Sequence, residues 1–360
     1  MSVFYVLSFI WGSVHLSSIS LLSKNNILKY IFLFISLIAL TYMYLNITIV
    51  GDVKQAYIMQ ITNIWLSRFE LGFKTIIAML YYFDFSPYTS LVFLRYLSFL
   101  LLLVLLKIIL NKENRKSIED IYIISFIILS HIFFFLGIEN VVRQGLATIF
   151  IGYSIFYFIE KKYIMFLVFS LLTQGFHKSS IMFIMISILS IWLIDKIISR
   201  RKLFVKSKNM LFKIKSLNFW GIFYIALFGS LLLINLFPDY LISASRNNDR
   251  MGGLLKPFIL GILFYVSSFI WFKNHYFSKY EYIFLYLRNI IFAVYLAYSF
   301  LLQHGIEMAS RVFIFYLFLE MILMLLMYKK NIYGKIGTIF LLVADAFAIN
   351  IYTLLTDIKI

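Results

Sequence analysis

Two stretches of this chain carry side chains suited to chemistry on an anion. Arg143, followed by Gln144, and His177, followed by Lys178, stand at the ends of two short apolar runs, with a basic turn, Lys161-Lys162, between the runs. Each run is long enough to cross or nearly cross a bilayer. The turn then lies on one side of a membrane, and Arg143 and His177 meet on the other. An arginine offers a planar fork of donors that matches phosphate or carboxylate oxygens. A histidine is the side-chain type whose ordinary pKa is nearest neutrality, which suits proton transfer. The pair reads as an anion anchor beside a base.

Other polar groups belong to the same side. Asp52 and Glu70 precede the pair, and Arg246, Arg250, His304, Glu307 and Arg311 follow it. His304, Glu307 and Arg311 are spaced by three and four residues, so they share a helical face, and Arg246 and Arg250 are four apart. On the run that starts at Arg143, the small residues Gly145, Thr148 and Gly152 allow a neighbouring helix to approach closely. Plainer readings compete. Glu307–Arg311 reads equally as an exposed ion pair, His177 as a helix-end residue, and Arg143 as the local partner of Glu139. Asp52 and Glu70 read as solvated loop residues, and Asp84 and Asp239 as turn residues. Clustering on one face is what the plainer readings leave unexplained.

The elements that position these residues are membrane helices. Of the 360 residues, 62% are hydrophobic, and the mean hydropathy is +0.92. Repeated apolar runs of about 20 residues are the signature of spanning helices, and the weak alternating segments of a β-barrel are missing. The fold class is all-α, a polytopic bundle of about twelve transmembrane helices forming one domain over 1–360. The expected helices are 3–22, 27–49, 88–110, 119–138, 143–160, 163–176, 179–195, 219–237, 257–272, 282–302, 311–328 and 336–356. The first 22 residues lack a basic leader and a cleavage site and read as the first helix. The segment 51–87 is too broken by charge to span, and its helical spacing predicts interfacial or re-entrant helices on the outer side.

The net charge of +17 would suit a nucleic-acid partner, but its distribution does not. The six loops expected inside, with the helix ends beside them, hold 21 of the 33 basic residues, and shifting the topology by one helix would reverse the positive-inside rule. Four charges fall deep within helices, away from their ends: Arg95, Arg288, Glu320 and Asp345. Buried charges in a bilayer face protein or a wet cavity. Arg288 and Glu320 lie at similar depths and are expected to pair. Arg95, about 12 Å below the outer end of its helix, is expected to line the floor of an outer cavity. Asp345 has no evident partner. Cysteine is absent, so no thiol chemistry is available. There is no phosphate-cradling glycine loop, no HExxH and no GxSxG, and the five histidines are not at ligand spacing. No metal and no cofactor are expected.

With these residues in view, the chain resembles the EpsG/Wzy-type polysaccharide polymerases. The resemblance rests on Gly51-Asp52 with Tyr57 and Phe69-Glu70-Leu71-Gly72-Phe73; on Val142-Arg143-Gln144-Gly145-Leu146-Ala147; on Gly175-Phe176-His177-Lys178-Ser179-Ser180; and on Ser310-Arg311-Val312 with Phe315-Tyr316. The chain lacks the long outer loop of the related ligases. The resemblance implies a glycosyltransferase in the bacterial cytoplasmic membrane, working at the outer face. Its donor would be a glycan on undecaprenyl diphosphate, and its product a surface polysaccharide such as an O-antigen, capsule or exopolysaccharide. It implies lipid-linked oligosaccharide and membrane lipid as partners, with a flippase and a chain-length regulator of the same pathway, and no nucleic acid. On this reading His177, Glu70 and Asp52 are the candidate bases, His177 foremost. Arg143, Arg311, Arg250, Arg246, Lys178, His304, Glu307, Gln144 and Tyr57 are the candidates for binding the diphosphate and glycan. Two rivals are a flippase, which should carry cations at several depths, and a sugar-modifying acyltransferase, which should carry histidine or acid clusters on its inner loops, where this chain has basic residues.

Overall fold

Helix boundaries in this chain follow local capping chemistry as much as hydropathy. Ser86 accepts a hydrogen bond from the Thr89 backbone N–H at 3.1 Å, and Pro87 occupies the first helical position. A serine cap followed by proline is a strong start signal, because proline's missing N–H is one that the helix leaves unpaired anyway. The computed structural model describes residues 3–23, 25–46, 48–49, 70–113, 119–136, 142–178, 180–200, 212–213, 216–236, 255–273, 276–300, 306–355 and 358–359.

Among the described residues the helices are α1 (Val3–Ser20), α2 (Asn26–Asn46), α3 (Leu71–Tyr82), α4 (Pro87–Lys112), α5 (Glu119–Ser130), α6 (Val142–Ile159), α7 (Tyr163–Phe176), α8 (Ser180–Arg200), α9 (Ser216–Leu236), α10 (Leu255–Phe272), α11 (Lys279–Phe300), α12 (Ile306–Tyr328) and α13 (Ile332–Leu355). Two-residue antiparallel ladders join Thr48–Ile49 to Ile358–Lys359 and Phe212–Lys213 to Tyr276–Phe277. Twelve of the helices fall close to the twelve apolar runs. The thirteenth, α3, lies within the segment 51–87, where an interfacial or re-entrant helix was expected. Six helical stretches are long and apolar enough to cross a membrane: Asn26–Leu45, Pro87–Lys112, Val142–Ile159, Lys279–Ser299, Arg311–Tyr328 and Ile332–Ile349. Further apolar helices are shorter, so length and composition support a multi-pass bundle without establishing twelve crossings.

The largest departure from the expected boundaries is α5, which stops at Ser130 rather than 138. At this point the backbone finds partners outside the helical ladder. The Phe133 N–H donates to His131 Nδ1 at 2.9 Å, and the Ile132 N–H points at Asp345 Oδ2 at 3.4 Å. A wide turn follows at 134–136. Asp345 thereby acquires the partner that its place in a helix demands, with His131 Nε2 at 3.4 Å.

The chain divides into two compact units, Met1–Met185 with Ile339–Ile360, and Ile186–Thr338. In the first unit α6 is the central helix, with 83% of its length buried. It packs on α4 and forms a hairpin with α7. Gly145, Thr148 and Gly152 are all buried. The hairpin is held by Ser154 and Ser170, whose hydroxyls are 2.6 Å apart, and by Phe169 stacked on Tyr153 and Tyr157 at 4.7 and 5.4 Å. Its turn uses Lys161 at φ 58°, which returns the chain sharply enough for the Lys162 N–H to reach the Tyr157 carbonyl. The outer stripe of α7, Ile164, Leu167 and Leu171, is 57–80% exposed, as a lipid-facing side must be. Arg95 lines a pocket of about 70 Å³ with Tyr44, Tyr96, Phe99 and Phe134, and donates to the Tyr44 carbonyl at 3.2 Å.

In the second unit α11 packs on α12 and α9. Its buried core holds the expected salt bridge, with Arg288 Nη2 2.6 Å from Glu320 Oε1. Ser267, Ser268 and Tyr316 also accept from Arg288, and the rings of Phe264, Trp271 and Tyr316 lie 4.6–5.6 Å from its guanidinium carbon. Polar and aromatic partners together stabilise a cation far from water.

Candidate functional site

Three helix ends bring the central charges of the first unit together. Glu70 occupies the position before α3, His177 follows α7, and Arg143 lies in the first turn of α6. The packing that sets their spacing is a backbone contact. A Cβ on Gly72 would stand 2.8 Å from the Gly175 carbonyl oxygen and 3.0 Å from its carbon. Only a glycine at 72 lets α3 and α7 approach this far. Around the contact, Phe73, Ile77, Val142, Leu146, Phe150 and Phe176 form a buried apolar cluster.

Glu70 is the hub of the polar group. Its Oε2 receives Arg143 Nη1 at 2.6 Å. Its Oε1 lies 3.6 Å from His177 Nδ1 and accepts the Lys178 backbone N–H at 3.4 Å. Although Glu70 is placed to cap α3, its side chain makes no capping hydrogen bond. The carboxylate is turned to Arg143 and His177 instead. The side chains of Glu70, His177 and Arg143 are 11%, 12% and 21% exposed, so solvent screens them little. Burial alone would raise the Glu70 pKa. The His177 ring, the Arg143 charge and hydrogen bonds outweigh burial and hold the carboxyl at about 2, against 4.5 ordinarily. A carboxylate this acidic is a poor proton acceptor at neutral pH.

His177 is fastened by its backbone. Its N–H donates to the Thr173 carbonyl at 3.0 Å, and its carbonyl accepts the Ser180 hydroxyl. Both ring nitrogens are buried, and neither has a hydrogen-bond partner among the described residues. Lys178 contributes its backbone amide to Glu70, and its side chain is exposed. Gln144 is buried on α6, 5% exposed.

The structure thus unites Glu70, Arg143, His177 and the Lys178 amide, and Gln144 follows Arg143 on α6. Arg311 is half-buried on α12, in the second unit. Glu307 precedes it by one turn of the same helix, with its side chain outside the described part. Asp52, Tyr57, Arg246, Arg250 and His304 lie outside the described residues. Sequence reasoning paired Arg143 with Glu139 as its plain alternative, and Glu139 also lies outside the described residues. It missed Glu70 as the partner of Arg143, 73 positions away. The available signal was the pair of glycines, each two residues from a charged group: Glu70 before Gly72, and His177 after Gly175. It also missed His131–Asp345, for which the signal was a carboxylate inside an apolar helix. Among the described residues, no group of three or more metal-ligating side chains could hold a metal ion.

The fold and the site define a multi-pass helical membrane protein with a shielded Glu–Arg–His cluster. The chain matches the family model described as EpsG family over residues 27–359, nearly its whole length, and it belongs to that family, one of Wzy-like polymerases. No curated protein and no solved structure matches the chain. Family and fold together point to a membrane polysaccharide polymerase.

Proposed function

We propose that the protein polymerises oligosaccharide repeat units carried on a polyprenyl diphosphate, undecaprenyl diphosphate in bacteria, at the outer face of the cytoplasmic membrane. The observation that carries this reading is the shielded cluster of Glu70, Arg143 and His177 at three helix ends of a membrane bundle. A diphosphate already leaves readily, so charge stabilisation and positioning supply most of the rate. Arg143 meets the diphosphate oxygens of the donor. Arg311, Arg246 and Arg250 supply further cations, and Tyr57, Gln144, Lys178, His304 and Glu307 contact the glycan or its diphosphate.

His177 takes the proton from the acceptor hydroxyl. The oxygen attacks the anomeric carbon of the donor sugar, and a new glycosidic C–O bond forms. The bond from that carbon to the diphosphate oxygen breaks, and its electron pair leaves with the lipid diphosphate. The proton on His177 then passes to the diphosphate or to water, and the base is restored. Asp52 and Glu70 were the other candidate bases. The low pKa of Glu70 argues for a supporting role instead. The product is a surface polymer, and a flippase and a chain-length regulator of the same pathway are the partners this chemistry needs.

Purified protein supplied with lipid-linked repeat units should release polyprenyl diphosphate and form a ladder of polymers. In cells, Arg143→Ala and His177→Ala should leave protein in the membrane and only single repeat units on the surface, a loss of roughly 10²–10⁴-fold for the base. Wild-type chain lengths from either variant would remove that residue from the mechanism. Lipid-linked units retained on the inner leaflet of a null strain would make the protein a flippase instead.

A further inference from the structure

We propose that Glu70 is a positioning residue that sets the tautomer of His177, holding the proton on Nδ1 and leaving the Nε2 lone pair free for the acceptor hydroxyl. This rests on the polymerase reading above for the use of Nε2, but the tautomer itself does not depend on any substrate.

Arg143 Nη1 holds Oε2 at 2.6 Å, which leaves Oε1 toward His177. Oε1 is 3.6 Å from Nδ1, an ion-pair distance slightly longer than a hydrogen bond. Catalytic hydrogen bonds are commonly long before substrate arrives and tighten afterwards. An ionised carboxylate only accepts, so the nitrogen facing it must carry the proton. The proton on Nδ1 makes Nε2 the basic nitrogen. Nε2 is buried and has no partner among the described residues, so nothing there competes for its lone pair. A histidine side chain free in water favours the other tautomer, with the proton on Nε2, so without Glu70 the ring would mostly present the wrong nitrogen.

Two features show that this arrangement is not incidental packing. Glu70 gives up the capping bond that its position before α3 would provide. And α3 lies backbone to backbone against α7 where Gly72 meets Gly175, a close approach that brings the carboxylate and the ring together. The fold also supplies an internal contrast. At His131, Nδ1 accepts the Phe133 N–H at 2.9 Å and Nε2 faces Asp345 at 3.4 Å, so this ring carries its proton on Nε2. The two histidines should show opposite tautomers in one spectrum.

The substitution Glu70→Gln is the sharpest probe. The amide oxygen would turn to Arg143, since a cation demands an acceptor. The amide NH₂ would then face Nδ1, forcing Nδ1 to accept and Nε2 to carry the proton. The same inversion by an amide is known to disable a catalytic histidine. Glu70→Asp keeps the charge and should keep the native tautomer.

The experiment is ¹⁵N NMR of histidine-labelled full-length protein in lipid nanodiscs, at a pH where the rings are neutral. Spectra of His177→Asn and His131→Asn assign the two rings. The expected result is an Nδ1–H tautomer for His177 in the wild type and in Glu70→Asp, an Nε2–H tautomer in Glu70→Gln, and Nε2–H for His131 throughout. Polymer formation should fall at least 100-fold in Glu70→Gln and recover in Glu70→Asp. An Nε2–H tautomer for His177 in the wild type overturns the proposal, and so does an unchanged tautomer in a monodisperse, folded Glu70→Gln. An inverted tautomer with wild-type polymer lengths is a different failure. It leaves Glu70 in control of the ring and removes His177 from the reaction.

Discussion

At the scale of single residues, the central finding is a glutamate that serves Arg143 and His177 rather than its own helix. Glu70 lies between Arg143 and His177, and their attraction holds its carboxyl at about 2. Its folded pKa is below the ordinary 4.5, so the stability it contributes is fully present above about pH 4.5. That stability is lost as the pH falls through the folded value near 2. The difference in melting temperature between wild type and Glu70→Gln should therefore be constant above pH 4.5 and shrink steadily below it. Thermal unfolding of detergent-purified protein across this range measures it. An equal difference at pH 3 and pH 7 would show that Arg143 and His177 do not hold the carboxylate ionised. Within the physiological range Glu70 does not titrate, so any acid limb in polymer formation should persist in Glu70→Asp.

At the scale of elements, the approach of α3 to α7 decides whether the site exists. The two glycines at the crossing are not equivalent. A Cβ on Gly72 would meet backbone, which cannot move aside, whereas one on Gly175 would find its nearest neighbour at 3.6 Å, an ordinary contact. Gly72→Ala should therefore cost about 1–3 kcal/mol of stability by overpacking. It should also cut polymer formation on the order of 100-fold, the scale of loss that an ångström of misplacement causes. Gly175→Ala should be much milder on both counts. Polymer ladders and thermal melts of the two variants provide the comparison, and equal losses would contradict this crossing.

The buried Arg288–Glu320 pair makes a prediction of the same scale for α11 and α12. Removing one partner alone leaves an uncompensated buried charge and should destabilise by about 3–5 kcal/mol. Replacing both by Met and Leu should restore most of the folded protein, read as the monodisperse fraction on extraction. Exchanging the two charges should not restore it. A carboxylate at position 288 would face the rings of Phe264, Trp271 and Tyr316, whose faces are negative and favour a cation.

At the scale of the whole molecule, the charge pattern predicts a topology that the natural absence of cysteine makes easy to test. Lys178→Cys should react with a membrane-impermeant thiol reagent on intact cells. Lys162→Cys, at the other end of α7, should react only after permeabilisation. The reverse pattern would place the Glu70 cluster at the inner face and sink the polymerase reading with it.

Much of this architecture was legible in the chain. Apolar runs marked twelve of the described helices, because lipid demands that a backbone satisfy its own hydrogen bonds within each segment. The depths of Arg288 and Glu320 announced their pairing, because a lone charge in a bilayer is too costly to keep. The early end of α5 was not legible, because it depends on Asp345, over 200 positions later, reaching the Ile132 amide. Arg143, His177 and Glu70 could be named as candidates from residue type and motif. Their partnership could not, since hydropathy says which segments cross a membrane and nothing about which helices touch. The sequence by itself determined a multi-pass helical protein with charges gathered at helix ends. Only the tertiary structure decided that Gly72 lies on Gly175, and hence that one carboxylate is shared between Arg143 and His177. That decision rests on a backbone contact between distant segments, and no local property of either segment encodes it.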